Sequence, residues 1–131
     1  MNFLTFFAIL VSIVLLDMAW ISVMFNRFFE PNIGHLFRHS MQYLPGILFY
    51  PLYAIGINVF VVDPGLRDQS TYLHIFFLGL LFGLVAYGTY DLTNQSTLKD
   101  WPWIQTVVDM IWGGFLTGVV SVIAAYVARY F

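Results

Sequence analysis

Four stretches of the chain are apolar over the thickness of a bilayer, and short polar breaks separate them. Residues 3–25 carry Asp17 as their single charge, 44–62 carry none, 72–90 have only His74 as an ionisable group, and 104–128 have only Asp109. At about 1.5 Å per residue, each run is of the length needed to cross a hydrocarbon core about 30 Å thick. The pattern predicts an all-α, polytopic integral membrane protein of four transmembrane helices in a single domain, 1–131. The first run reads as a retained span rather than a cleaved leader: no Lys or Arg precedes it and no small-x-small site follows it. Pro45 and Pro51 predict that the second span begins irregularly. Between the first two spans, Ile33, Leu36, Phe37 and Met41 recur near helical spacing, with His35, Arg38, His39 and Gln42 opposite them. This predicts a short interfacial amphipathic helix over 32–42, started by Pro31 and Asn32. The remaining breaks, 63–70 and 92–102, read as loops, the first opened by the Asp63-Pro64-Gly65 turn signal.

Composition fixes the solvent. With 60% hydrophobic and 9% charged residues, the chain cannot cover a water-soluble globule of its size, so its first partner is the lipid bilayer. The aromatic share of 20% falls largely near the ends of the apolar runs, where amphipathic rings favour the headgroup region. A net charge of -2 without a basic cluster argues against a nucleic-acid partner. The absence of cysteine excludes disulfides, thiolate metal sites and a cysteine nucleophile. Four spans put both termini on one side with Arg67 and Arg129, and Arg27, Arg38 and Lys99 on the other, here named side B. So small an imbalance does not set the orientation.

A carboxylate near mid-bilayer costs at least about 2.5 to 3.5 kcal/mol, so each needs a partner, a proton or water. Asp17 and Asp109 are the two that stand inside spans, and both occur in an Asp-Met-x-Trp pattern that places Trp20 and Trp112 about one turn away. Both acids lie roughly 12 to 14 Å from side B along their helices. Tyr87, Asp91 and Asn94, at the side B end of the third span, add a phenol, an acid and an amide. Gly113, Thr117, Ser121 and Ala125 follow Asp109 at spacings of four, matching Gly79, Gly83, Tyr87 and Asp91 on the third span; such small-residue stripes suit close helix packing and turn Asp109 inward. Asp17, Trp20, Tyr87, Asp91, Asn94, Asp109 and Trp112 are therefore the candidate ligand- or proton-binding residues. The structural alternative is that indole N–H groups or Tyr hydroxyls satisfy the acids and merely fix the packing. His35 and His39 are weaker candidates: they have i, i+4 spacing but no further zinc signature, and no metal site is expected.

The string Tyr87-Gly88-Thr89-Tyr90-Asp91-Leu92-Thr93-Asn94, followed by Thr97-Leu98-Lys99, Trp101-Pro102, Asp109 and Trp112-Gly113, resembles a bacterial family of small predicted membrane proteins whose function is not defined. The resemblance implies a compact helical protein of a bacterial inner membrane, and no particular reaction or cofactor. Small multidrug transporters and dual-topology fluoride channels are similar in size and architecture only. The leading functional expectation is binding or translocation of a proton, cation or small polar molecule in a carboxylate and aromatic pocket, with a homodimer providing space for transport. The alternatives are a lipid-modifying membrane enzyme, with a carboxylate as general acid or base helped by His35 or His39, and a non-catalytic accessory subunit. Without a nucleophile motif or a phosphate loop, catalysis is the weaker reading, and no catalytic residue is assigned.

Overall fold

A computed structural model describes residues 2–131, leaving Met1 outside the described residues. Four helices are long and apolar enough to cross a membrane: α1 (Phe3–Leu36), α2 (Tyr43–Arg67), α3 (Tyr72–Thr97) and α4 (Trp103–Tyr130). Short connections make successive helices antiparallel. Asn2 caps α1 by accepting the Leu4 N–H at 2.9 Å, and Thr71 caps α3 by accepting the His74 N–H at 3.1 Å. On the side of the termini, Arg129 donates to the Ser70 carbonyl at 2.6 Å and lies over the Tyr72 ring, tying the end of α4 to the α2–α3 turn.

The core is organised around α4, whose buried residues run from Gln105 and Thr106 to Ala124 and Ala125. Its closest neighbour is α3. A Cβ placed on Gly79 would meet Ser121 Oγ at 2.7 Å and Gly118 Cα at 2.9 Å, and one on Gly83 would meet Gly114 Cα at 2.8 Å. Only glycine allows the two backbones to approach this closely, and van der Waals contact is the main force joining helices in lipid. α1 contributes a narrow stripe at spacings of four, Thr5, Ile9, Ile13 and Asp17, so the buried acid ends an otherwise regular packing face.

Two prolines shape the helices differently from the sequence expectation. The separate interfacial helix over 32–42 does not form: helical turns continue from α1 to Leu36, and residues 37–42 form no helix. The chain passes Pro31 through a π-turn, Phe25–Phe29, in which the Glu30 N–H bonds the Phe25 carbonyl. In α2, the π-turn Asn58–Val62 stands equally before Pro64, with the Asp63 N–H on the Asn58 carbonyl. A proline ring crowds the carbonyl four residues back, and widening the preceding turn moves that carbonyl away while the helix continues. The Asp63-Pro64-Gly65 signal accordingly lies inside α2 rather than in a loop. α3 also outlasts its apolar run, so Asp91 and Asn94 belong to the helix and not to its end.

The side B half of α2 stands away from the bundle. No residue from Tyr43 to Leu52 is buried, whereas Tyr53, Ala54, Ile57, Asn58, Val61 and Val62 are. The change falls at Pro51, which cannot donate the bond to the Ile47 carbonyl. Spaces open on both flanks of this splayed segment, one toward α1 and one toward α3 and α4.

Candidate intramembrane carboxyl site

Asp17 is 8% exposed, and two donors converge on it. The Tyr50 hydroxyl donates to its Oδ2 at 2.5 Å, and the Trp112 indole N–H donates to its Oδ1 at 3.1 Å. Each oxygen thus has a partner from a different helix, joining α1 to α2 and to α4. Trp20, one turn from Asp17, stacks on Trp112 with ring centroids 4.3 Å apart and planes 5° apart. The stack fixes the Trp112 ring in the orientation that aims its N–H at Asp17. Trp20's own indole nitrogen is buried without a partner among the described residues, so its contribution is the flat face of its ring.

Asp91 is set otherwise. It is fully buried, and no N–H or O–H among the described residues reaches either carboxyl oxygen. What its side chain meets is the carboxyl of Asp109. Two carboxyls can bond one another only with a proton between them, and in an apolar setting they remain together only with a proton or a cation for company. The spacing explains their meeting: Asp91 lies about six residues before the end of α3 and Asp109 about six after the start of α4, so each is about 9 Å from the α3–α4 turn. The Gly79-Gly83-Tyr87-Asp91 stripe then directs Asp91 toward α4.

Asp109 is half-buried and opens on a cavity of about 250 Å³ lined by Phe49, Ala86, Tyr87, Tyr90 and Asp109 itself. Tyr87 has its ring seated over Gly113, where any side chain would collide with it. Its other neighbour is Tyr53, at 6.4 Å between ring centroids, whose hydroxyl is paired with Thr117 Oγ1 at 2.8 Å. The walls are therefore aromatic, and the one charged group lining the cavity is acidic.

Below the cavity, the α3–α4 turn is closed by side chains. Thr106 donates to Gln95 Oε1 at 2.8 Å and accepts from the Trp101 indole at 3.0 Å, while Gln95 Nε2 donates to the Trp101 carbonyl at 2.8 Å. Tyr90 meets Trp101 edge to face at 5.7 Å. This clasp holds the ends of the two acid-bearing helices in register.

The sequence candidates thus fall into two groups. Asp17, Trp20 and Trp112 bond to or stack on one another, and Tyr87 and Asp109 line the cavity with Asp91 behind them, while Asp17 remains close enough for its charge to act on Asp109 and Tyr87. Asn94 is half-buried one turn beyond Tyr90 and does not line the cavity. His35 and His39 are exposed at the side B end and line it no more than Asn94 does. Sequence reasoning passed over Tyr50, Thr106 and Gln95. Tyr50 and Tyr53, one turn apart in a span without charges, were the available sign that phenols would serve buried polar groups.

No curated protein and no solved structure matches the chain. Residues 2–126 match the family model described as "Predicted membrane protein (DUF2177)", and over that length the chain belongs to this family.

Proposed function

We propose that the protein binds a small cation, or a proton in its place, within the membrane, with Asp109 and Asp91 as the charged ligands and Phe49, Tyr87 and Tyr90 as the walls. The observation that carries this reading is the Asp91 carboxyl, buried without a donor among the described residues and set behind Asp109, the acid that lines the open cavity. A cavity of about 250 Å³ suits an alkali ion with part of its water or a small organic ammonium. Aromatic faces favour a desolvated cation by about 2 kcal/mol or more, which makes an ammonium the better fit. Asp17 is set apart from this pair, because a phenol and an indole already donate to its two oxygens.

Thermal stabilisation of the purified protein in detergent tests the proposal, using sodium, potassium, methylammonium and tetramethylammonium chlorides at constant ionic strength. A bound cation stabilises the folded state by mass action. At least one of these salts should raise the midpoint in the parent and not in Asp109→Asn. The effect should weaken as pH is lowered, because protons compete for the same oxygens. Equal responses in parent and variant would leave the carboxyl pair without a ligand role.

A further inference from the structure

The flank of α2 that faces α1 carries a second depression, independent of the carboxyl pair. A groove of about 600 Å³ runs between the helices, walled by Leu10, Val14 and Met18 on α1 and by Ile47 and Pro51 on α2, with Tyr50 among its lining. Toward side B it continues into a cavity of about 390 Å³, with Met41 and Gln42 lining both. The character of the lining changes along this path. The groove is almost wholly apolar, whereas the side B cavity brings in the Arg38 guanidinium and the Gln42 amide beside Phe25 and Phe37. Arg38 is exposed and has no carboxylate partner among the described residues.

An apolar trough at acyl-chain depth that ends under an unpaired cation at headgroup depth has the chemistry of one molecule. We propose that this path is a binding site for an anionic glycerophospholipid, with one acyl chain between α1 and α2 and the phosphate on Arg38. Charge complementarity selects the occupant: a zwitterionic lipid fills the trough equally well but gains less from the guanidinium, and a free phosphate gains nothing from the trough. Glycine at position 46 keeps the groove open. A Cβ there would meet nothing within 4 Å, so a large side chain can project into the groove without displacing protein atoms. The chain's position also bears on Tyr50, which lines the groove while its hydroxyl is bonded to Asp17.

Native mass spectrometry of the full chain, stripped of lipid in detergent and titrated with phosphatidylglycerol or phosphatidylcholine of identical chains, tests the site. The parent should bind phosphatidylglycerol about five- to tenfold more tightly, the gain expected from one guanidinium facing a net anionic headgroup rather than one whose phosphate is offset by choline. Arg38→Gln, at an exposed position, should remove that preference while retaining chain-dependent binding. Gly46→Phe should weaken both lipids together, with helicity by circular dichroism unchanged. Inorganic phosphate at millimolar concentration should displace neither. Preference undiminished in Arg38→Gln, parent-like binding in a folded Gly46→Phe, or displacement by inorganic phosphate would each overturn the proposal.

Discussion

Asp17 and Asp91 are buried carboxyls in the same half of the same bundle, yet their surroundings are opposite. Asp17 has a phenol and an indole aimed at its two oxygens, from two helices other than its own. Asp91 has no N–H or O–H donor among the described residues and faces Asp109. The first arrangement has a donor for each oxygen and needs no ligand to compensate its burial. The second is complete only when something positively charged is added. Burial of an acid in a membrane is therefore not in itself a mark of function, and the donors around it tell a fastener from a site.

The largest expected effect separates the two by sign. Asp17→Leu strands the Tyr50 hydroxyl and the Trp112 N–H, and should cost about 2 to 3 kcal/mol, measured by denaturant unfolding in mixed micelles. Asp91→Asn relieves the crowding of two acids and supplies an amide donor for Asp109 that needs no shared proton, so stability should stay level or rise by about 1 kcal/mol. If Asp91→Asn is as damaging as Asp17→Leu, the distinction between fastener and site is wrong.

A double-mutant cycle sharpens the same contrast at smaller amplitude. Asp17→Asn and Tyr50→Phe share one hydrogen bond, and their combined effect should fall short of the sum by about 1 kcal/mol. Tyr50→Phe and Asp91→Asn share none, and should add within about 0.3 to 0.5 kcal/mol. Non-additivity in the second pair would mean that the surroundings of Asp17 and Asp91 form one network.

The four membrane helices were legible because burial in lipid demands long apolar runs, and nothing subtler is needed to find them. The α3–α4 approach was legible too, since Gly79, Gly83 and Gly113 fall at spacings that mark one helix face. The helix ends were less so. Apolarity stops at Tyr90, but backbone hydrogen bonding does not, and α3 carries Asp91 and Asn94 on to Thr97. Pro31 and Pro64 read as breaks although a π-turn before each lets the helix pass. Matching depth and the small-residue stripe brought the acids into one half of the bundle, but not the donors around each of them. Which donors each acid meets depends on rotation about the helix axes, and the splay of α2 at Pro51 depends on packing; neither is written in residue spacing.

The smallest effect distinguishes the two stacked indoles. Trp112 and Trp20 form nearly parallel rings 4.3 Å apart, so replacing either by Phe sacrifices part of the same stack. Only Trp112 donates to Asp17, whereas the Trp20 nitrogen is buried without a partner. Trp112→Phe should therefore cost more than Trp20→Phe by about 0.6 kcal/mol, the average worth of a hydrogen bond between membrane helices, and by up to about 1.7 kcal/mol because the acceptor is a carboxyl. Part of the loss in Trp20→Phe is offset by removing an N–H that nothing accepts. The difference should vanish in an Asp17→Leu background, where Trp112 has no acceptor. Unfolding midpoints of the four proteins in one detergent measure it. A difference that survives the loss of Asp17 would assign the Trp112 contribution to ring packing, and leave Tyr50 as the one donor that holds the acid in place.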